Sequence, residues 1–363
     1  MIASFFVSEK LGWRFGLQSV NIGVIGTGGI SGAHFKAYSQ LPDAKIVAVA
    51  DILPDRAKAA AERWGVEKWF TDFNDLLSLP DLHAVVVCTY NQAHRDPVVA
   101  ALESGKHVFV EKPLAATLQD AVDMVRAAKK SGLILQTGFW PRFSHELRTA
   151  REIVRSGALG DIYYAQAIGG GRRRIPGGSF LKKDKAGSGT IADIGCYDLD
   201  QFLFVTDHPT PTHVSAIASD KLAKSAPNVL GDWNHNPKEV EVEDFGAAFV
   251  RFEQGFVLNF VSYWAAHAES LGPSLILGTK GGLLFSPLIL YRDEFGAMTD
   301  VTFQHIPEVN CFLEQARAFV NAVKAGGPSP VDPEGVLLVN VIIDGIYRSA
   351  KEGREVEVSI PKV

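Results

Sequence analysis

The sequence predicts an α/β protein with two parts. The first is an N-terminal doubly wound parallel sheet of the Rossmann type, and the second a C-terminal α/β domain built on an open, largely antiparallel sheet. Three observations carry this prediction. From residue 20 onward, short apolar runs rich in β-branched residues alternate with longer stretches of helical spacing, the pattern of βαβ units. The runs are apolar almost throughout, as strands buried on both faces must be. After about residue 140 the rhythm changes to strands punctuated by hairpin turns.

Residues 1–18 read as an N-terminal extension. Met1–Ser8 is apolar, but no basic residue precedes it and Glu9 and Lys10 interrupt it, so it lacks the form of a secretory signal. Strands are then expected at Val20–Ile25, Lys45–Ala50, Ala84–Thr89, His107–Val110 and Leu133–Thr137, with helices at Pro54–Trp64, Pro97–Ser104 and Leu118–Lys130 between them. This gives a dinucleotide-binding domain over 19–140 and a substrate-binding and oligomerisation domain over 141–363. In the second domain Glu146–Ser156 has helical spacing. Phe249–Phe260 alternates around Gln254-Gly255, and Leu275–Gly278 and Leu283–Phe285 flank Thr279–Gly282, so both segments read as antiparallel hairpins. Helix-like Val309–Ala325 and Gly335–Glu352 and a short strand at Glu355–Val358 close the chain. An open sheet without obvious covering helices on one face predicts self-association, as a homodimer or homotetramer.

Composition limits the function classes. A chain of 363 residues, 47% hydrophobic and 21% charged, has enough apolar material for two cores. Lys and Arg total 36 against 41 Asp and Glu, a net charge of -5, so no overall positive field exists to hold a nucleic acid. No apolar run reaches the roughly 18 residues needed to cross a bilayer, which argues against a membrane partner. Cys88, Cys196 and Cys311 are scattered and form no C-x-x-C pair, so a reducing cytoplasmic location is expected and a zinc or other metal site is not.

Gly26-Thr-Gly-Gly-Ile-Ser31 follows the first strand and opens a helix. There the backbone of Gly26, Gly28, Gly29 and Ile30 would meet a dinucleotide pyrophosphate at the positive helix end, with Ser31 in the third glycine position. Asp51 ends the second strand, where a carboxylate accepts hydrogen bonds from the adenosine ribose hydroxyls. No Arg follows it directly to neutralise a 2′-phosphate, so the expected cofactor is NAD rather than NADP. Thr89-Tyr-Asn-Gln-Ala-His94 and Glu111-Lys112-Pro113 lie past the carboxyl ends of two further strands, on the rim where a doubly wound sheet holds its ligand. Thr89, Asn91, His94, Glu111 and Lys112 are therefore candidate cofactor contacts.

These segments together resemble the Gfo/Idh/MocA oxidoreductases. The resemblance runs from about residue 20 to the end and includes Gly138–Phe143, Gly157-Ala-Leu-Gly160 and Tyr347–Val356. It implies NAD(H)-dependent hydride transfer to or from a secondary hydroxyl of a sugar, glycoside or cyclitol. It also implies an Asp-x-x-x-His stretch in the second domain. Asp193 matches within Gly187–Asp200, but Tyr197 stands where His is usual, as in the glucose-fructose oxidoreductase branch, and Tyr90 stands where Pro is usual. Lys112, Asp193 and Tyr197 are then the implied catalytic residues.

Oxidation of a secondary alcohol needs a hydride acceptor and a group that takes the hydroxyl proton. A free phenol, with pKa about 10, is a poor base at neutral pH, so Lys112 is expected to stabilise the Tyr197 phenolate while Asp193 orients the pair. The basic loop with Arg172, Arg173, Arg174, Lys182, Lys183 and Lys185 is a candidate site for an anionic group on the substrate. Trp140, Arg142, Trp233, His235, Trp264 and His267 are candidates for sugar stacking and hydroxyl contacts. Two other classes use the same framework. One is redox-neutral NAD-dependent glycoside cleavage, through a transient keto-sugar and elimination; the other is a non-enzymatic cofactor-sensing regulator, which has no need of Lys112, Asp193 and Tyr197 together.

Overall fold

The computed structural model describes residues 17–172, 175–225 and 235–363. Most of the N-terminal extension, Arg173, Arg174 and Trp233 lie outside the described residues.

The first sheet holds β1 (Val20–Ile25), β2 (Ala44–Ala50), β3 (Lys68–Phe70), β4 (Ala84–Val87), β5 (His107–Val110) and β6 (Leu135–Thr137). Between these strands run α1 (Ser31–Tyr38), α2 (Pro54–Trp64), α3 (Phe73–Leu77), α4 (Arg95–Glu103) and α5 (Leu118–Ser131). The strand order is β3-β2-β1-β4-β5-β6, all parallel. In such an order the chain reverses direction across the sheet between β1 and β4, which opens a crevice above their carboxyl ends. Ala84–Val87 and His107–Val110 are wholly buried, in line with their continuous apolar sequence. Thr117 caps α5 by accepting from the Asp120 N–H, and Gly132, with φ of 68°, ends it.

The second domain contains α6 (His145–Arg155), β7 (Ile162–Gly170), α7 (Lys183–Ala186), α8 (Thr190–Asp193), α9 (Gly195–Val205), β8 (Pro211–Ser219), α10 (Lys221–Ser225), β9 (Phe245–Phe252) and β10 (Val257–Tyr263). It continues through β11 (Leu275–Gly278), β12 (Gly281–Leu284), β13 (Ile289–Glu294), β14 (Ala297–Thr302), α11 (Cys311–Ala325), α12 (Pro333–Glu352) and β15 (Val356–Glu357). Its nine strands are ordered β14-β13-β12-β11-β7-β10-β9-β8-β15, antiparallel except for the β7–β10 pair. Both expected hairpins are present, as β9–β10 and β11–β12. Helices α9 and α12 cover one face, while Tyr163, Ile217, Phe249 and Tyr291 stand exposed on strands of the same sheet.

Sequence and structure differ at one point of organisation. The segment after 140 does not stay with the second sheet: Ala316, Phe319, Val320 and Val323 of α11 share a core with Val20, Ile22, Val24, Phe35 and Phe109 of the first. A helix's apolar stripe shows that it must be buried, but not against which partner. The return of α11 ties the two domains together behind the crevice.

Candidate active site

The turn after β1 is built for close approach. Gly26 has a φ of 88°, and a Cβ there would lie 2.7 Å from the Cys88 carbonyl carbon, so only glycine fits against the neighbouring strand end. Cβ atoms at Gly28 and Gly29 would meet nothing within 4 Å, and Gly29 and Ile30 are exposed. Open backbone at the start of α1 is what a pyrophosphate requires. Asp51 reaches over from the end of β2: its Oδ2 accepts from Thr27 N at 2.9 Å and Thr27 Oγ1 at 2.8 Å, and its Oδ1 from Leu53 N at 3.0 Å. Three of the roughly four acceptor positions of the carboxylate are thus engaged, and the Thr27 hydroxyl can yield its own to a ribose hydroxyl. The residues fit a dinucleotide. Replacing Asp51 with Ala is expected to weaken NAD by about 1.5–3 kcal/mol, the range for hydrogen bonds to a charged group. Calorimetric titration with NAD and NADP checks this, and tighter binding of NADP by the unaltered chain would contradict the assignment.

On the opposite rim the Thr89 hydroxyl donates to Ala93 O at 2.9 Å, and Asn91 Nδ2 donates across the domain boundary to Ala186 O at 3.0 Å. His94 requires a correction. It is fully buried, with Nδ1 3.1 Å from Pro113 O and 3.2 Å from Leu114 O and Nε2 3.3 Å from Thr89 O. Burial lowers its pKa, so we assign a neutral ring with the proton on Nδ1, pinning the Thr89 turn to the Lys112-Pro113 turn rather than touching cofactor. Glu111 also points inward. Its Oε1 accepts from His34 Nε2 at 2.6 Å and its Oε2 from Lys112 N at 3.2 Å. Burial raises the Glu111 pKa, but the His34 hydrogen bond and the charges of His34 and Lys112 outweigh it and hold the carboxyl below its ordinary value.

Lys112, Asp193 and Tyr197 meet across the domain boundary. Lys112 Nζ donates to Asp193 Oδ1 and to Asp193 O, each at 2.9 Å, and lies 4.9 Å from the centre of the Tyr197 ring. Desolvation works against the ammonium, but the Asp193 carboxylate, through its charge and its hydrogen bond, outweighs it, and the Lys112 pKa is raised. Lys112 is a fixed cation and not a base. The second oxygen of Asp193 accepts from Trp264 Nε1 at 3.0 Å. Trp264, considered from sequence as a sugar platform, is instead buried and orients the carboxylate.

The expected low-pKa phenol is not found. Burial raises the Tyr197 pKa, and the opposing charge of Lys112 is insufficient because the ammonium sits over the ring face. Trp140 Nε1 donates to Tyr197 Oη at 3.1 Å, which fills one acceptor position and leaves the hydroxyl proton to be given elsewhere. Trp140 is half-buried and is backed by Phe312 of α11, with ring centres 6.1 Å apart.

Arg142 is a second correction. Rather than facing substrate, it forms a bidentate pair with buried Asp200, with Nη2–Oδ1 at 2.6 Å and Nε–Oδ2 at 2.9 Å, inside the second domain. Of the basic loop, Arg172 pairs with Glu269, Lys182 with Glu241 at 3.0 Å, and Lys185 Nζ lies 5.7 Å from the Tyr90 ring centre. His235 is buried and His267 exposed. Beside Trp140 and Tyr197 opens a cavity of about 1080 Å³.

Residues 20–139 match the family model described as "Oxidoreductase family, NAD-binding Rossmann fold", and residues 147–284 match the GFO/IDH/MocA C-terminal domain. Over 343 residues the chain is 30% identical to the D-glucoside 3-dehydrogenase of Escherichia coli K12, covering 93% of this chain and 97% of the relative. It is 26% identical to the myo-inositol 2-dehydrogenase of Thermotoga maritima, covering 93% and 98%. A levoglucosan dehydrogenase structure in complex with NADH superposes with a TM-score of 0.81 at 23% identity, covering 95% of this chain and 100% of that one, which establishes likeness of fold.

Proposed function

The chain belongs to the Gfo/Idh/MocA oxidoreductase family, with its NAD-binding Rossmann domain, and from that membership we propose that it moves a hydride between NAD(H) and a secondary hydroxyl of a sugar, glycoside or cyclitol. The observation that carries this reading is the Lys112 ammonium, held at 2.9 Å by Asp193 and beside the Tyr197 ring, on the rim of the crevice between β1 and β4.

NAD supplies the hydride acceptor when bound. Lys112 donates a hydrogen bond to the reacting oxygen and stabilises the negative charge that develops there as the C–H bond breaks. Asp193 keeps the ammonium protonated and, through Trp264, correctly aimed. Tyr197 Oη, protonated at working pH, gives its proton to the carbonyl oxygen in the reducing direction; in the oxidising direction it passes its own proton to water in the adjoining cavity as it takes that of the substrate hydroxyl, with Trp140 fixing the phenol. His94 and Glu111 hold the Lys112 turn in place.

The acid-paired state of Arg172, Lys182 and Arg142 favours a neutral sugar over an anionic one. Among the described residues no helix is long and apolar enough to cross a membrane. Ile217, Phe249 and Tyr291, exposed on the sheet face that α9 and α12 leave bare, support self-association.

The test is a screen of D-glucosides, anhydrosugars and inositols that follows NADH and released aglycone together. NADH accumulating in step with a keto-sugar is the expected result. An aglycone appearing without NADH would assign redox-neutral cleavage instead, and absence of both across the panel would contradict the proposal.

A further inference from the structure

Asp198 is one residue beyond Tyr197 on α9, and its carboxylate is left without a compensating cation among the described residues. Its neighbours Cys196, Leu199 and Asp200 are buried in the domain interior, whereas Tyr197, Asp198 and Gln201 line the cavity of about 1080 Å³. The Asp198 Oδ2 is buried and has no hydrogen-bond partner among the described residues. It rests against the bare backbone of Gly169 on β7, where a Cβ would lie only 1.8 Å away. Glycine at that position therefore makes the room that the carboxylate occupies.

The remaining lining includes Gln166 of β7, Ser270 and Ser274, with Glu146 and Tyr197 as its other ionisable groups and no Lys, Arg or His among the described residues. Burial pushes the Asp198 carboxyl up to about 7, as follows for a charge that the fold leaves uncompensated. Buried polar groups in proteins are almost always paired, and an unpaired one is costly to keep, so an exception in a cavity of small-molecule size points to a partner that arrives from outside.

We propose that Asp198 is a specificity-determining residue that accepts hydrogen bonds from sugar hydroxyls other than the reacting one, and so selects neutral polyhydroxylated substrates against analogues bearing an anionic group at that position. The inference rests on the dehydrogenase reading for the identity of the ligand as a sugar. A hydroxyl is the matching group because it is a donor: with Oδ2 closed off against Gly169, Oδ1 is the acceptor that half-buried Asp198 leaves to a ligand in the cavity, and cavity amides and serines can serve the neighbouring hydroxyls. An anion placed there would meet like charge with no cation to offset it.

The test uses the full chain loaded with NADH. Methyl D-glucoside, its singly deoxygenated analogues and the corresponding uronic acid are titrated by calorimetry against the wild type and Asp198→Asn. Asp198→Asn should weaken the glucoside about tenfold or more, leave NADH binding unchanged, and narrow the discrimination against the uronic acid. One deoxygenated analogue should bind poorly to the wild type and lose little further in Asp198→Asn, which identifies the hydroxyl that Asp198 holds. Asp198→Asn should melt no lower than the wild type, because the substitution removes an uncompensated buried charge, so weakened binding is not a sign of misfolding. Unchanged glucoside affinity, or independent effects for every deoxygenated analogue, would overturn the proposal. Sugar binding that depends on Asp198 without any NADH formation from NAD would uphold it and overturn the dehydrogenase reading alone.

Discussion

Lys112→Ala will lower the rate of NAD-dependent sugar oxidation toward the upper end of about 10²–10⁴-fold, while NADH binding at the adenosine end is retained. The size follows from what the ammonium does. It is the cation at the site that Asp193 holds, and its hydrogen bond strengthens as charge grows on the reacting oxygen, an interaction made chiefly in the transition state. Its removal also frees Asp193 from the partner that fixes it, leaving among the described residues the indole of Trp264. Tyr197→Phe should cost less, about 10²-fold, because it removes the proton carrier but neither the charge nor the Asp193 contact. Since burial keeps the phenol protonated across the working range, the pH dependence of kcat in Tyr197→Phe should run parallel to that of the wild type. Single-turnover NADH formation measures both variants. Near wild-type turnover in Lys112→Ala would remove the cation from the mechanism, and a pH-dependent rise that disappears in Tyr197→Phe would show a resident phenolate.

Arg142→Ala should destabilise the fold by about 3–5 kcal/mol, the usual cost of leaving one member of a buried ion pair without its partner. Asp200 is fully buried; desolvation raises its pKa and Arg142 alone counters that with its charge and hydrogen bonds. A double change, Arg142→Met with Asp200→Leu, should recover most of the loss, since the orphaned charge rather than the lost attraction dominates. Denaturant melts of the three chains check this. If Arg142→Ala kept full stability but raised KM for the sugar, Arg142 would be a substrate residue after all.

The parts of the fold that were legible are those where burial on both faces writes itself as uninterrupted apolar sequence. Val20–Ile25 and His107–Val110 have the same bounds in sequence and structure, and so does the amphipathic helix Pro54–Trp64, which is legible instead from Pro at its start and Gly65 just past its end. The β13–β14 hairpin was not visible, because Arg292, Asp293, Glu294, Thr299 and Asp300 break any clear alternation on strands that are largely solvated. Strand β3 is three residues long with Lys68 and Trp69 exposed, too short for a periodic signal.

The site divides in the same way. Glycine turns and strand-end motifs mark a rim, so Gly26, Asp51, Lys112 and Asp193 could be named from spacing and family resemblance. Which way a side chain turns from that rim depends on partners distant in sequence. Glu111 turns inward because His34 lies 77 residues away in the chain but 2.6 Å away in space. Arg142 is neutralised by Asp200, 58 residues on, and the Asp193 oxygen that faces Trp264 is matched across 71 residues. Asp198 had one available signal: with Asp193 and Asp200 it makes three carboxylates in a segment otherwise reading as an apolar helix, so each needed a partner, and among the described residues only Asp193 and Asp200 have one.

The central claim is that a hydride passes directly between a sugar carbon and NAD in this crevice. It is tested most directly by incubating the protein with NAD and a sugar deuterated at the oxidised carbon, then weighing the NADH formed by mass spectrometry. The account predicts NADH that carries the deuterium, formed slowly or not at all by Lys112→Ala. Label recovered in water, with unlabelled NADH or none, would contradict it.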